Sequence, residues 1–405
     1  MQYYQDINIW SLYGEKLEVT ENNDHLGLIV SGVDEELKNI DKNIKSARDT
    51  LFGFLGNIFS YKCKLSVSLQ YNTWQVYIRP VLLSGLSALP IRPTVVKPLR
   101  SFHHKILRSV LKLSQYSPVA PLYFLLGELP IEASLHLGVL ALFWNIWSNP
   151  GTKAFQVVQY LLKMADNTSL TWSVHVRLLC QLYNLPDPLT LLSSQPWPKE
   201  RWKSYTKVAV TSFHEKILRQ QAAQNSKLQF FNVQTIGLSA RPHPVVAWAL
   251  TTQDVVTIRP HIKILSGDYL CYSNLAHDRG TDPSCRLCQA AASSDQSQPF
   301  HAPVEDIVHL LTQCKATKNT RDKYLPDLLN HVADHLPNSL LLSNPTHTQL
   351  TQFVLDCSSL NLSNDLRIPT NHPGFIHITK YCSRLIYAIH RDRTKQLKTL
   401  GCIAK

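Results

Sequence analysis

No two aspartates stand side by side anywhere in the 405 residues, and no glutamate follows Glu305. The first absence excludes the aromatic-x-Asp-Asp turn that holds paired magnesium ions for nucleotidyl transfer. The second leaves Leu325-Pro326-Asp327, which could open a nuclease-like carboxylate set, without the later acid such a set usually needs. No G-x4-G-K-[ST] loop is present to cradle a phosphate, and no G-x-S-x-G elbow to expose a serine nucleophile. The chain by itself therefore reads as non-catalytic.

Long apolar runs are missing too. The most apolar stretch, Leu135 to Trp147, contains His136 and Asn145, and it falls short of the ~20 residues a bilayer crossing needs. It reads as a buried helix. There is no charged-then-apolar leader, and nine cysteines without one imply a reducing compartment, nucleus or cytoplasm rather than secretion. Met1-Gln2-Tyr3-Tyr4 leads straight into strand-like sequence, as though the chain begins inside a domain.

Only 17% of residues are charged, yet the net charge is +12. Such an excess on an otherwise ordinary globular composition points to a polyanion, RNA or DNA, and not to a membrane. The length allows two to three folding units.

The strongest pattern runs from Cys285 to Cys314. Cys285 and Cys288 form a C-x2-C knuckle, and His309 and Cys314 an H-x4-C pair. Two cysteines at that spacing fold round one ion, and one short helical stretch can supply the other two ligands, giving a closed structural zinc site. Four protein ligands leave no position for substrate. The insert between the pairs includes the loop-like 293–299, and it also carries His301, an alternative to His309 as ligand. Loop length costs little, about 0.6 kcal/mol per doubling.

Along the chain, Asn8 to Tyr13 and Lys16 to Thr20 read as strands about a Gly14-Glu15 turn, and His25 to Val30 as a third strand after an Asn22-Asn23-Asp24 turn. From Asp34 the period turns helical: Leu37, Ile40, Ile44, Ala47, Leu51 and Leu55 make an apolar stripe beside Lys38, Lys42, Lys45 and Arg48. Asp41 and Asp49 flank that basic row, so it reads either as a solvated face or as a phosphate contact. Tyr61 to Leu82 reads as one helix, and Leu99 to Leu113 as another, with Arg100, His104, Arg108 and Lys112 at four-residue steps. Those like charges repel one another unless a polyanion relieves them. Lys153 to Tyr183 looks helical, and the prolines at 186, 188, 196 and 198 mark a linker. Trp197 and Trp202 there read as core ahead of base-stacking platforms. Val255 to Ile258 looks strand-like. From His377 to the end, seven Lys or Arg face one acid. Lys380, Arg384, Arg391 and Lys395 fall within about 60° of one helix face, with Tyr381, Leu385 and Ile389 beside them to dock it.

Several of these pieces, in this order, resemble the C-terminal half of non-LTR (LINE-type) retrotransposon reverse transcriptases: His25-Leu26-Gly27-Leu28, the basic helix through Ile44 to Leu55, Arg79-Pro80-Val81-Leu82-Leu83-Ser84-Gly85, Leu122-Tyr123 with Gly127-Glu128-Leu129-Pro130, Gly267-Asp268-Tyr269-Leu270, and the Cys3His cluster. The resemblance implies a primer-grip strand at His25, Leu26 and Gly27, where the family usually has Tyr for His25. Ser84-Gly85 stands where Tyr-Gly is common. It further implies thumb helices after that strand, a late knuckle that helps bind template RNA or target DNA, and an absent catalytic palm as a partner.

The expected architecture is mainly α. It comprises a β-hairpin palm remnant (1–33), a thumb-like helical bundle (34–115), a helical connector ending in a Pro-rich linker (116–200), a C-terminal module with a zinc knuckle (201–340) and a basic tail helix (341–405). The expected function is RNA or DNA binding through those helices and the knuckle, without polymerase activity.

Overall fold

A computed structural model of the protein describes residues 11–402 except 13–14, 17–19, 57, 60–62, 64, 165–170, 234–235, 239–240, 293–300, 336–344 and 358–372. Much of the first expected hairpin, Gly14 included, and the 293–299 loop lie outside the described residues. Those described are mainly α-helical, with short antiparallel strand pairs at the start.

β1 (Ser11–Leu12) pairs with β2 (Glu15–Lys16), and β3 (Asn22–His25) with β4 (Leu28–Ser31). This corrects the sequence reading of the second pair. Asn22-Asn23-Asp24 is strand, and the turn falls at Leu26-Gly27, inside the stretch read as one strand. Leu26 and Gly27 both have positive φ, 50° and 82°, which a two-residue hairpin turn needs for its twist to match that of the strands. His25, Leu26 and Gly27 therefore form a hairpin tip, with Leu26 exposed.

α1 (Glu35–Leu55) buries Ile40, Ile44, Ala47 and Leu51 as its stripe demands. Asn39 clips β4 to it by exchanging hydrogen bonds with the Ile29 backbone, N–H and carbonyl, both at 2.8 Å. The expected helix from Tyr61 is three segments: α2 (Val67–Thr73), a π-turn at Trp74–Ile78, and α3 (Arg79–Leu83). Asn43 of α1 donates to the Leu82 and Ser84 carbonyls at 3.2 and 2.7 Å, satisfying acceptors the helix end leaves open. Next to them Gly85 turns with φ 71°, and a Cβ there would lie 2.4 Å from Leu28 Cδ2. A side chain here would have to displace the Leu28 methyl from a left-handed backbone, so glycine lets the hairpin seat closely on the bundle.

α4 (Lys97–Leu111), α5 (Ala120–Leu126) and α6 (Ile131–Trp147) carry the densest burial. Between α5 and α6, Glu128 is buried and gathers Tyr71, Gln75, the Arg79 guanidinium at 3.6 Å and His103 at 3.7 Å. The Gly-Glu-Leu-Pro motif thus ties three helices together. The segment read as helical, Lys153 to Tyr183, holds α7 (Lys153–Met164) and α8 (Trp172–Leu182). The proline region holds α9 (Pro188–Leu192) before α10 (Lys199–Ala223). Trp202 is core: its indole donates to the Leu140 carbonyl at 3.0 Å and its ring meets Trp147 and Trp197.

The C-terminal part adds α11 (Pro244–Ala247), α12 (Thr252–Leu265), α13 (Tyr272–Arg279), α14 (Arg286–Ala292), α15 (Lys318–His335), α16 (His347–Leu355) and α17 (Pro373–Thr399). Val255 to Ile258, read as strand-like, belongs to α12. A Thr251/Asp254 capping box starts that helix one turn earlier and outweighs the β-branched run. α17 packs on α11, α12 and α15. Buried His261 of α12 joins three helices through Ser383 Oγ of α17 at 2.8 Å and the Leu355 carbonyl of α16 at 2.6 Å. One apolar cluster runs from Ile40 to Ile389, across the boundaries drawn in the sequence at 115, 200 and 340.

Candidate metal centre

The two halves of the Cys/His pattern are brought together by a single rung of sheet. Ser284 bridges Val304; around it the Cys285 N–H donates to the Pro303 carbonyl at 2.8 Å, and the Glu305 N–H to the Pro283 carbonyl at 2.9 Å. The rung closes the insert at its base and brings the ligand pairs together. Cys285 immediately precedes α14, and Cys288 lies in the first turn of that helix. His309 opens a π-turn, His309–Gln313, closed by the Cys314 N–H donating to the His309 carbonyl at 2.7 Å. That i to i+5 bond puts the two ends of H-x4-C together.

The result is a buried quartet. Cys285, Cys288, His309 and Cys314 are each under 5% exposed, and their ligating atoms lie within 4.8 Å of one another. Cys285 Sγ is 4.0 Å and Cys288 Sγ 3.8 Å from Cys314 Sγ, and Cys288 Sγ is 3.5 Å from His309 Nε2. His301, the alternative ligand, is exposed and outside the set. The arrangement can hold a metal ion.

Electrostatics point the same way. The Cys285 thiol hydrogen-bonded to Cys314, with His309 alongside, pulls Cys314 well below the usual thiol range. That bond and burial push Cys285 up, while burial and the Cys314 thiolate push Cys288 up. Three thiolates cannot share this space without a cation.

Around the ligands stands a second set of charges that sequence reasoning missed. Glu305, fully buried, accepts from the Tyr272 N–H at 3.2 Å and Arg393 Nη2 at 2.5 Å, and its carboxylate lies 3.7 Å from Cys285 Sγ. Arg393 comes from α17 and is itself buried between the Tyr269 and Tyr272 rings. Leu397, one turn on, packs on the cysteines, and buried Arg321 donates to Thr317 Oγ1 at 2.8 Å. A divalent ion with three thiolates carries one net negative charge. With Glu305 that makes two, which Arg321 and Arg393 balance. The cluster is thereby bolted to the tail helix.

The expected phosphate contacts fall into three groups. On α17, Arg384, Arg391 and Lys395 are exposed and Lys380 half-buried, while Leu385 and Ile389 are buried beneath them. On α1, Lys45 is exposed, but Lys42 is paired with Asp24 at 2.7 Å, and Lys38 donates to Asn22 and Ser31 at 2.8 and 2.7 Å. Those two hold the hairpin. On α4, Arg100 pairs with Glu132, and Arg108 donates to the Ser117 carbonyl at 2.9 Å. Lys112, expected on the same basic stripe, is instead buried: α4 ends in a left-handed turn at φ 58°, which swings its ammonium inward to Gln70 at 2.8 Å. Burial lowers its pKa to about 8.

Among the described residues no single helix is long and apolar enough to cross a membrane. α5 and α6 qualify only together, bent by 62°. No family model, curated protein or solved structure matches the chain.

Proposed function

We propose that the quartet holds zinc and that the chain is a non-catalytic RNA- or DNA-binding protein, a relative of non-LTR retrotransposon reverse transcriptases acting in the nucleus or cytoplasm. Zinc fits by size. Bond lengths of about 2.3 Å to sulfur and 2.0–2.1 Å to nitrogen give tetrahedral edges of about 3.8 Å between sulfurs and about 3.6 Å from sulfur to nitrogen. The distances of 3.8, 4.0 and 3.5 Å match those edges.

The observation that carries the binding reading is the outer face of α17. Arg384, Arg391 and Lys395 stand on it in the open, while Arg393, Leu397 and Ile389 fix the opposite face. A solvated helix face usually intersperses acids, whereas the one aspartate of α17, Asp392, is engaged off this face by Thr320 and Gln396. An unbalanced row of cations on a rigid helix suits phosphates spaced along a strand. The metal would hold the C-terminal module in register behind it and perform no chemistry, since all four positions are protein ligands.

Binding of the purified chain to single-stranded RNA and to duplex DNA, measured between 50 and 200 mM salt, tests this. Affinity should fall steeply as salt rises. Absence of any salt-dependent binding would overturn the reading.

A further inference from the structure

A cavity of about 610 Å³ opens between α4, α6, α8 and α10, within the ~300–1,000 Å³ common for small-molecule sites. Apolar side chains such as Val96, Leu179, Phe213 and Leu218 make up part of its wall, and four histidines and two tyrosines, with Gln221 and the paired Arg100 and Glu132, the polar part. Tyr183 Oη lies between His136 Nδ1 at 2.6 Å and His214 Nε2 at 3.0 Å, and Tyr123 Oη meets His104 Nε2 at 2.8 Å. The His175 ring meets that of His136 edge-on, centroids 6.1 Å apart, and its Nε2 is buried without a hydrogen-bond partner.

Three ligand classes fit poorly. A metal needs converging ligands, and among the described residues the set of three or more that converges within 4.8 Å is the cysteine quartet, not these histidines. An anion needs a free cation, but Arg100 at the cavity is committed to Glu132. Burial holds His104, His136 and His175 neutral, at about 4, 3 and 4. A hydrocarbon would strip water from imidazoles and phenols and return no hydrogen bond.

What remains is flat, neutral and able to donate and accept at once. We propose that this cavity binds a nucleobase, delivered either as a free nucleoside or by an unpaired position of a strand. Imidazole and phenyl rings offer faces for stacking, and a neutral imidazole offers a donor and an acceptor to the base edge. The strand source rests on the nucleic-acid reading above. The nucleoside source does not.

The test uses the full chain labelled with ¹³C at histidine Cε1, titrated with adenosine, guanosine, cytidine and uridine, then with a short single-stranded RNA and the same backbone made abasic. Movement of the His136, His175 and His214 signals with a nucleoside, while buried His261 stays still, supports the proposal with a free nucleoside as source. Movement with the RNA but neither with its abasic form nor with nucleosides supports it with the strand as source. No movement of the three signals with any probe overturns it. His175→Phe should weaken the binding about tenfold, the loss of one buried hydrogen bond. Should that variant fail to fold, His214→Gln serves, and unchanged affinity in the folded variant also overturns the proposal. Nucleosides carry no phosphate, so failure here leaves the salt-dependent binding of the basic face standing, and failure there leaves nucleoside binding readable.

Discussion

Arg393→Met isolates the contact that joins the metal centre to the tail helix. Methionine keeps most of the apolar stem lying between Tyr269 and Tyr272 and removes the charge that Glu305 faces. Glu305 is 0% exposed and Arg393 8%, so solvent screens the pair little, and removing one partner leaves an uncompensated buried carboxylate. Such a loss costs about 3–5 kcal/mol. Adding Glu305→Gln removes the orphan charge while keeping an acceptor for the Tyr272 N–H. The double variant should therefore recover at least about 2 kcal/mol relative to the sum of the singles. Urea unfolding of the four zinc-loaded proteins reads the cycle. An Arg393→Met cost under about 1 kcal/mol, or additive singles, would refute the claim that this pair clamps the module.

Three other outcomes follow from the same contacts. Cys314→Ser should abolish stoichiometric zinc in elemental analysis and raise protease cleavage in α14 and α17, because the quartet and Leu397 share one small core; retained stoichiometric zinc would contradict it. Gly85→Ala should cost about 2 kcal/mol in thermal or urea unfolding, from a left-handed backbone and the clash with Leu28, and an unchanged midpoint would contradict it. Burial depresses His136 to about 3 and His261 to about 4. Each therefore contributes stability that is full above the unfolded value near 6.5 and lost as pH falls toward those values. The urea midpoint should drop between pH 7.5 and 5.5 by the equivalent of about 1.4 kcal/mol per histidine, and a flat profile would contradict it.

The Cys/His quartet was legible because ligand identity and local spacing are written in sequence, and the long insert did not obscure it once the Ser284 to Val304 rung closed its base. The choice of His309 over His301 was not legible, since it depends on the π-turn that returns Cys314 to His309. Helical stripes on α1, α4 and α17 were readable from their period. Where β-branched residues crowded a short window, as in Val255 to Ile258, period and propensity misled, and the Thr251 cap was the better signal. Leu26-Gly27 went unread as a turn because it lacks the Asn-Gly or Asp-Gly marker. Arg393 was passed over because it lies off the face of Arg384 and Arg391. That offset was the available clue, since a basic residue on the apolar face of an amphipathic helix needs a buried partner, and Glu305 supplies it.

The central claim is that a metal-braced helix presents a row of cations to nucleic acid. Its most direct test compares the wild-type chain with Arg384→Gln/Arg391→Gln/Lys395→Gln, measuring the slope of log affinity against log salt on single-stranded RNA. Each phosphate contact contributes about 0.7 to that slope, so the triple variant should be shallower by about 2 while keeping its zinc and its unfolding midpoint. An unchanged slope and affinity in a folded, zinc-loaded triple variant would contradict the claim.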